Sequence, residues 1–446
     1  MDEGSDVKTN QLRKVLGIAF GLAVVVGSTI GVGILRAPGS IAALIPNPTL
    51  ILSCWIVMAL YIVLSASSYA ELTTMLPKAG GAYNYIKRAF GNYAGFINGW
   101  FDFLCNAIAP AYFCIVLGEY CLLIFPTFIG HEKLIAILFL TLFALINLPG
   151  IKAGSAIQKA TSAIKIILFL ILIVGCFAAK PQFAATVKVS SELLTGGVIL
   201  SIFKALQLIS GAYDGWMSVS FFAEENSNPN RNIPRSYLLG ATTIGVLYVL
   251  INAAVLYVLP IETIAKSPLA ASEAAASAFG SYSGTLMTAV AIFSLVSILN
   301  AYMLIPSRIL FGLSRDGFFA KPFMKVNKGG TPYYALLFCY LFAFLLILIS
   351  SFETLFGISV FMMTIVTGFA FASLIRLRHT EPHLPRPYKA FAYPFSTYLA
   401  LLVSIILFVG FALSDHLSLL LTLVFTAVSF VGYKLFVKPN NNDNFD

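Results

Sequence analysis

Four ionisable side chains stand inside long apolar runs of this 446-residue chain: Asp102, Lys165, Lys204 and Asp214. An ion at bilayer depth is costly, so such a residue marks a substrate path, a proton site or a structural pair. Two small-residue segments interrupt the same kind of run. One is Gly27-Ser28-Thr29-Ile30-Gly31-Val32-Gly33 and the other is Ser210-Gly211-Ala212-Tyr213-Asp214-Gly215-Trp216. Glycine in a helix interior costs about 1 kcal/mol relative to alanine. Three glycines within the first segment therefore predict unwinding. Unwound backbone in an apolar medium needs partners for its N–H and C=O groups. A zwitterion supplies them. The N–H groups and positive dipole end at the first break suit a carboxylate, and free carbonyls at the second suit an α-ammonium. Such a site reads the common part of an amino acid and leaves the side chain to a separate pocket. The plainer alternative is close helix packing through small residues, which Gly27-x-x-x-Gly31 also fits.

These segments need elements to hold them. Hydrophobic residues make up 59% of the chain and charged residues 11%, against about 25% charged in an ordinary soluble domain. That excludes a water-soluble globule, a disordered chain and a nucleic-acid-binding domain. A spanning helix needs about 20 mostly apolar residues. Twelve candidates are predicted, at 15–43, 49–76, 95–124, 132–150, 157–179, 196–223, 237–259, 282–312, 333–350, 354–375, 392–413 and 416–436. An even number puts both termini on one side. Alternate loops then place 21 Lys and Arg on that side and 5 on the other. This bias predicts cytoplasmic termini in an inner (plasma) membrane, and it accounts for the net charge of +9 without an acidic partner. The start of the chain lacks a signal-peptide pattern, so no cleavage is expected.

The breaks fall in the first and sixth spans and begin 184 residues apart, at Gly27 and Gly211. Paired interruptions at matching positions of two halves point to the binding site of an inverted-repeat transporter. Other chemistry is unsupported. There is no phosphate-loop pattern, no Gly-x-Ser-x-Gly and no His-Glu-x-x-His. His379 and His383 are separated by a loop proline and do not make a metal site. Neither a metal nor another cofactor is expected, and an enzyme is the weaker class. A sensor that binds an amino acid without moving it is the other rival. The six cysteines lie in apolar runs without a C-x-x-C pair, as buried hydrophobes do.

Seven further segments, in order and on the predicted sides, carry a family resemblance. They are G-S-T-I-G-V-G-I-L with P-G (27–39), Y-A-E-L-x4-P-x-A-G-G-A-Y (69–83), A-F-G with G-W (89–100), N-L-P-G-I-K-x-G with Gln158 (147–158), A-Y-D-G-W…E-E-N-x-N-P-x-R-N-I-P-R (212–235), S-R-I-L-F-G-L-S-R-D-G (307–317) and R-L-R-H-T-E-P-x-L-P-R-P-Y (376–388). The chain resembles the amino acid–polyamine–organocation (APC) transporters, and within them the L-amino-acid exchanger branch of prokaryotic type. The resemblance implies an all-α LeuT-type fold with 12 transmembrane helices, an inverted 5+5 repeat and discontinuous helices 1 and 6. The implied division is a tail at 1–14, a first repeat at 15–180, a second at 195–377, two extra helices within 392–436 and a tail at 437–446.

By matching position, the resemblance assigns the substrate carboxylate to backbone amides at Thr29, Val32 and Gly33, with Ser28 and Gly31 shaping the turn. It assigns the α-amino group to carbonyls at Gly211, Ala212 and Asp214. Gln158-x6-Lys165 looks like the branch's fifth-helix lysine. Its ammonium would replace a coupling sodium between the first and eighth helices, which implies sodium-independent exchange of neutral L-amino acids. The plainer alternative is a lysine reaching for the interface. Asp214 either meets substrate or caps its own turn. Asp102 is a candidate proton site or half of a structural ion pair, so proton symport stays as an alternative. Gly211 stands where the branch has an aromatic gate, which leaves a replacement aromatic or a wider pocket. Tyr213 and Trp216 are the candidate gates, and Lys204 and Gln207 are candidates for an outer vestibule. Glu71, Glu224 and Glu225 are expected in an inner ion-pair network. The expected partners are an amino acid and membrane lipid. The loop Phe125–Lys133 has no cysteine, so no disulfide-linked heavy chain is expected.

Overall fold

A computed structural model describes residues 14, 16–78, 80–149, 151–180 and 196–436. The predicted tails, apart from Lys14, lie outside the described residues, as do the side chains of Val32 and Gln158. Regular structure in the described residues is helical, save one isolated bridge between Leu16 and Asn226. The first path is split into α1 (Ile18–Thr29) and α2 (Val32–Leu44). It is followed by α3 (Pro48–Met75), the short α4 (Tyr83–Phe90), α5 (Asn92–Ile124), α6 (Glu132–Asn147) and α7 (Ile151–Ala178). The chain continues as α8 (Gly196–Tyr213) and a 3₁₀ helix, Trp216–Glu225. Then come α9 (Pro229–Val258), α10 (Ile261–Lys266), α11 (Ala270–Phe279), α12 (Tyr282–Arg315), α13 (Tyr333–Ile349), α14 (Phe352–Thr380), α15 (Phe395–Ser414) and α16 (His416–Phe436).

Local chemistry starts several of these elements. The Asn47 carboxamide accepts from Leu50 N at 3.1 Å, and Pro48 fills the first position of α3, where its missing N–H costs nothing. Ser351 caps α14 through Thr354 N. Pro229 opens α9 eight residues before the predicted limit of 237. The helices α4, α10 and α11 were absent from the sequence prediction. They are short and sit between long apolar runs.

Among the described residues, eight helices are long and apolar enough to cross a membrane, with α1 and α2 taken as one path. The others predicted as spans are shorter or interrupted: α6, α8 with the 3₁₀ helix, α13, and the apolar part of α16. Large apolar side chains cover the outside of the bundle, among them Leu60, Val174, Leu345, Leu402 and Leu423. A surface of that kind fits hydrocarbon rather than water.

The broken path lies inside. α1 is packed among α7, α9, α12 and the 3₁₀ helix, and α2 lies against α8 and α10. Val24, Val25, Ile30, Leu35 and Ile41 along it are fully enclosed. Around it, α3 runs with α9, and α5 runs with α12 and α14.

Ion pairs gather at two ends. At one, Glu71 takes both Arg378 nitrogens at 2.7 Å and also holds Ala390 N, with Arg386 at 3.3 Å. Glu224–Arg315, Lys87–Asp316, Arg88–Glu381 and the wholly buried Glu225–Arg308 join it there. At the other end, Arg36 bridges Glu119 and Glu353 at 2.8 Å each. The expected network around Glu71, Glu224 and Glu225 is thus present as contacts.

Candidate substrate site at two broken helices

The first break is narrower than the seven residues predicted. Helix continues through Gly27, Ser28 and Thr29, and both hydroxyls fold back onto the last turn. Ser28 Oγ donates to Val24 O at 2.5 Å, and Thr29 Oγ1 to Val25 O at 2.7 Å. Only Ile30 (φ −72°, ψ 99°) and Gly31 (φ −160°, ψ −138°) leave the helix. α2 begins at Val32 with no side-chain cap. Its first backbone N–H groups therefore lack helical acceptors, as at any helix start.

The carbonyls of Gly27, Thr29 and Ile30 at the end of α1 have side-chain partners. Lys165 Nζ, fully buried on α7, donates to Gly27 O at 3.2 Å and to Ile30 O. Ser294 of α12 donates to Ile30 O at 3.0 Å. Tyr248 of α9 donates to Thr29 O at 2.8 Å. Lys165 thus stands beside the first break with α12 as its neighbour. It does not extend to an interface.

The second break is narrower too. α8 runs to Tyr213, Asp214 makes the turn, and Gly215 sits in the left-handed region at φ +103°. The segment beyond is 3₁₀ rather than the α-helix expected to 223. Asp214 Oδ1 accepts from Gly215 N at 2.9 Å, and Oδ2 accepts from Tyr302 OH at 3.2 Å. Of the two roles open to Asp214, the turn cap is the contact present. Gly211 O accepts from Asp214 N at 3.2 Å, and Ala212 O from Tyr248 OH at 3.2 Å. A carbonyl oxygen has two lone pairs, so each keeps one.

Glycine lets the two breaks touch. A Cβ on Gly33 would lie 2.3 Å from Ala212 Cα, and one on Gly215 would lie 2.5 Å from Ser28 O. Ser28 Oγ crosses the gap to Gly215 O at 3.0 Å and Ser218 Oγ at 2.9 Å. Tyr248 OH lies within hydrogen-bond distance of a carbonyl at each break and has one proton to share between them. A cavity of about 30 Å³, lined by Gly211, Asp214, Trp216, Met217, Val360 and Met363 among others, adjoins the second break. By the measure that a water needs about 10–15 Å³, this is room for a water or two, so the site is shut. A larger groove of about 310 Å³ between α14 and α15 is almost wholly apolar and lies away from both breaks. It carries none of this chemistry.

Other sequence candidates land elsewhere. Tyr213 is fully buried between Trp55 (5.7 Å between rings) and Tyr248 (5.0 Å). Trp216 does line the cavity and packs edge-on to Tyr69 at 4.9 Å. The two vestibule candidates, Lys204 and Gln207, differ in their surroundings. Gln207 is buried and donates to Asp415 Oδ2 at 3.0 Å, where the α15–α16 turn needs donors. Lys204 is exposed on α8, with no ion-pair partner among the described residues. The structural ion pair expected for Asp102 is likewise absent among the described residues. Its Oδ1 takes Asn106 Nδ2 at 2.9 Å, one turn on, and its Oδ2 lies beside the Gly81 turn. The sequence reading missed Tyr248, Ser294, Tyr302 and Ser218. Each is a hydroxyl in an apolar run, with no spacing that marks it.

A sequence model of the family described as amino acid permease matches residues 19–433. The chain belongs to the amino acid permease family. It is similar to the serine/threonine exchanger SteT of Bacillus subtilis (strain 168), with 29% identity across 92% of this chain and 93% of that protein. It is similar to the mouse b(0,+)-type amino acid transporter 1, with 26% identity across 97% and 90%. It is also similar to the human large neutral amino acids transporter small subunit 2, with 29% identity across 85% and 72%. The permease is thus an APC-superfamily, LAT-like membrane transporter of amino acids, and not an enzyme.

Proposed function

We propose that this permease exchanges neutral L-amino acids across the plasma (inner) membrane by alternating access and without sodium. The observation that carries it is the buried Lys165 amine at the first break, which itself meets the second through Ser28 and Gly215. Lys165 donates to Gly27 O and Ile30 O, so a fixed positive charge stands where a metal cation would otherwise satisfy those carbonyls. Carbonyl oxygens are what hard cations take, and a built-in donor removes the need for one. In the open site, the free N–H groups at Val32 and Gly33 hold the substrate carboxylate, while Thr29, the third amide expected from the sequence, is still helical in α1 and sets the turn with Ser28 and Gly31. The spare lone pairs of Gly211 and Ala212, with Asp214 beside them, hold the ammonium. The substrates for which two of the relatives are named, serine and threonine for one and large neutral amino acids for another, support a neutral substrate.

The proposed frame has twelve spans, with two inverted five-helix repeats at 15–180 and 195–377, two added helices within 392–436, and both termini in the cytoplasm. The basic bias supports that orientation, as does the gathering of arginine pairs at the Glu71 end. Substrate lies between that end and the Arg36 end. The Phe125–Lys133 loop has no cysteine, which supports a transporter without a disulfide-linked partner.

Purified protein in liposomes tests the exchange claim. Uptake of labelled serine or leucine, in sodium-free buffer, should need unlabelled amino acid inside. Equal uptake into unloaded vesicles would overturn exchange. A second reading, proton symport, draws on one observation: Asp102 is fully buried with a single amide on Oδ1 and no ion pair among the described residues. Uptake into unloaded vesicles that follows an imposed pH gradient, and is lost in Asp102→Asn, would select it.

A further inference from the structure

We propose that Phe356 closes the substrate space from the Arg36 end and limits the side chain admitted, and that residue 211 is glycine in order to receive its ring. The inference rests on the two breaks being the amino-acid site. Gly211 is in ordinary helical continuity, not in the left-handed region, so its backbone does not call for glycine. Its surroundings do. A Cβ there would lie 2.3 Å from Phe356 Cζ and 2.6 Å from Val360 Cγ2. The ring occupies the notch that the missing side chain leaves.

Phe356 and Val360 are one turn apart on the same face of α14. Val360, Met363, Thr364 and Thr367 continue that face along the cavity beside the second break. Phe356 stands at the head of this line and is 6% exposed. It is wedged between Phe352, stacked at 5.2 Å, and Tyr112, edge-on at 5.7 Å. Arg36 then covers the Phe352 ring at 4.4 Å while pairing with Glu119 and Glu353. Side chains are therefore continuous from the cavity to the surface at that end. An amino acid arriving there must displace Phe356, and its side chain must share space with the ring. Tyr213 cannot do this work, because it is packed into Trp55 and Tyr248.

The test uses wild type, Phe356→Ala, Gly211→Ala and the double variant in preloaded liposomes, with alanine and phenylalanine as substrates. Phe356→Ala should lower the KM for phenylalanine relative to that for alanine by about tenfold, the scale on which apolar pockets discriminate size. Gly211→Ala alone should lose uptake by about tenfold or more, and adding Phe356→Ala should restore most of it, the Val360 contact remaining. Phe356→Leu serves if the alanine variant does not purify as a single species, with a smaller shift in the same direction. A KM ratio unmoved by either substitution, or a Gly211→Ala defect that truncating Phe356 does not relieve, would overturn the proposal. Wild type that transports neither amino acid would instead remove the site reading on which it rests.

Discussion

Lys165 places its amine among carbonyl dipoles, with no ion-pair partner among the described residues. Removing it takes donors from Gly27 O and leaves Ile30 O with Ser294 alone. Hydrogen bonds to charged groups are worth about 1.5–3 kcal/mol, so Lys165→Ala should slow exchange by about tenfold or more at unchanged protein yield. Initial rates in preloaded liposomes check this, and full turnover would take the lysine out of the mechanism. Tyr248 is the hydroxyl common to both breaks. Tyr248→Phe removes about 1 kcal/mol of bonding and should weaken substrate binding by roughly fivefold, as read by calorimetry. Gly215→Ala puts a Cβ at positive φ and against Ser28 O. Strain at such a position costs about 1–3 kcal/mol before the clash is counted, and the variant should fail to transport. Lys165 was legible because an ion in an apolar run is costly at that depth, and burial beside the first break removes the alternative of a lysine reaching for the interface. Tyr248 was not, since a tyrosine in a span looks like any other aromatic until its distant carbonyl partners are known.

At the scale of elements, the inner portions of the two broken paths are tied together. Leu16 N donates to Glu225 O at 3.0 Å, Ser227 N donates to Leu16 O at 2.8 Å, and Phe20 meets Phe222 edge-on. α1 and the 3₁₀ helix therefore form one packed unit, held to α12 by Glu225–Arg308. Breaking a buried pair by removing one partner costs about 3–5 kcal/mol, because the other charge stays behind. Arg308→Ala should lower the Tm of the purified protein by several degrees, and Glu225→Gln in the same chain should recover part of it. A Tm unchanged in Arg308→Ala would contradict that. Glycine clusters located both breaks, but not their length. α1 stays wound to its end with the Ser28 and Thr29 hydroxyls bonded back onto it, and hydroxyl placement carries no periodic signal. The 3₁₀ form of Trp216–Glu225 was hidden too, because its composition suits an α-helix equally well.

Over the whole molecule, the two ends differ in kind. The Glu71 end carries a dense set of pairs from several helices, while the Arg36 end is closed by one arginine and an aromatic stack. With the Glu71 end on the cytoplasmic side, a protease-cleavable tag after Asp446 should be cut in inside-out vesicles and protected in right-side-out ones. The reverse would invert the topology. Composition was enough to anticipate a membrane bundle, since it is a bulk property, and the charge bias supplies the orientation that the tag experiment reads. The closed state was not legible, because it depends on which side chains fill the space beside Gly211. The central claim is that backbone at the two breaks holds the charged ends of an amino acid. It is tested most directly by competition against labelled L-serine with L-serine, its methyl ester and its N-acetyl derivative. The account predicts that only the free amino acid competes, with each blocked form weaker by about a hundredfold, as loss of a charge-assisted set implies. Comparable competition by the ester would show that the first break does not hold a carboxylate, and would contradict the account.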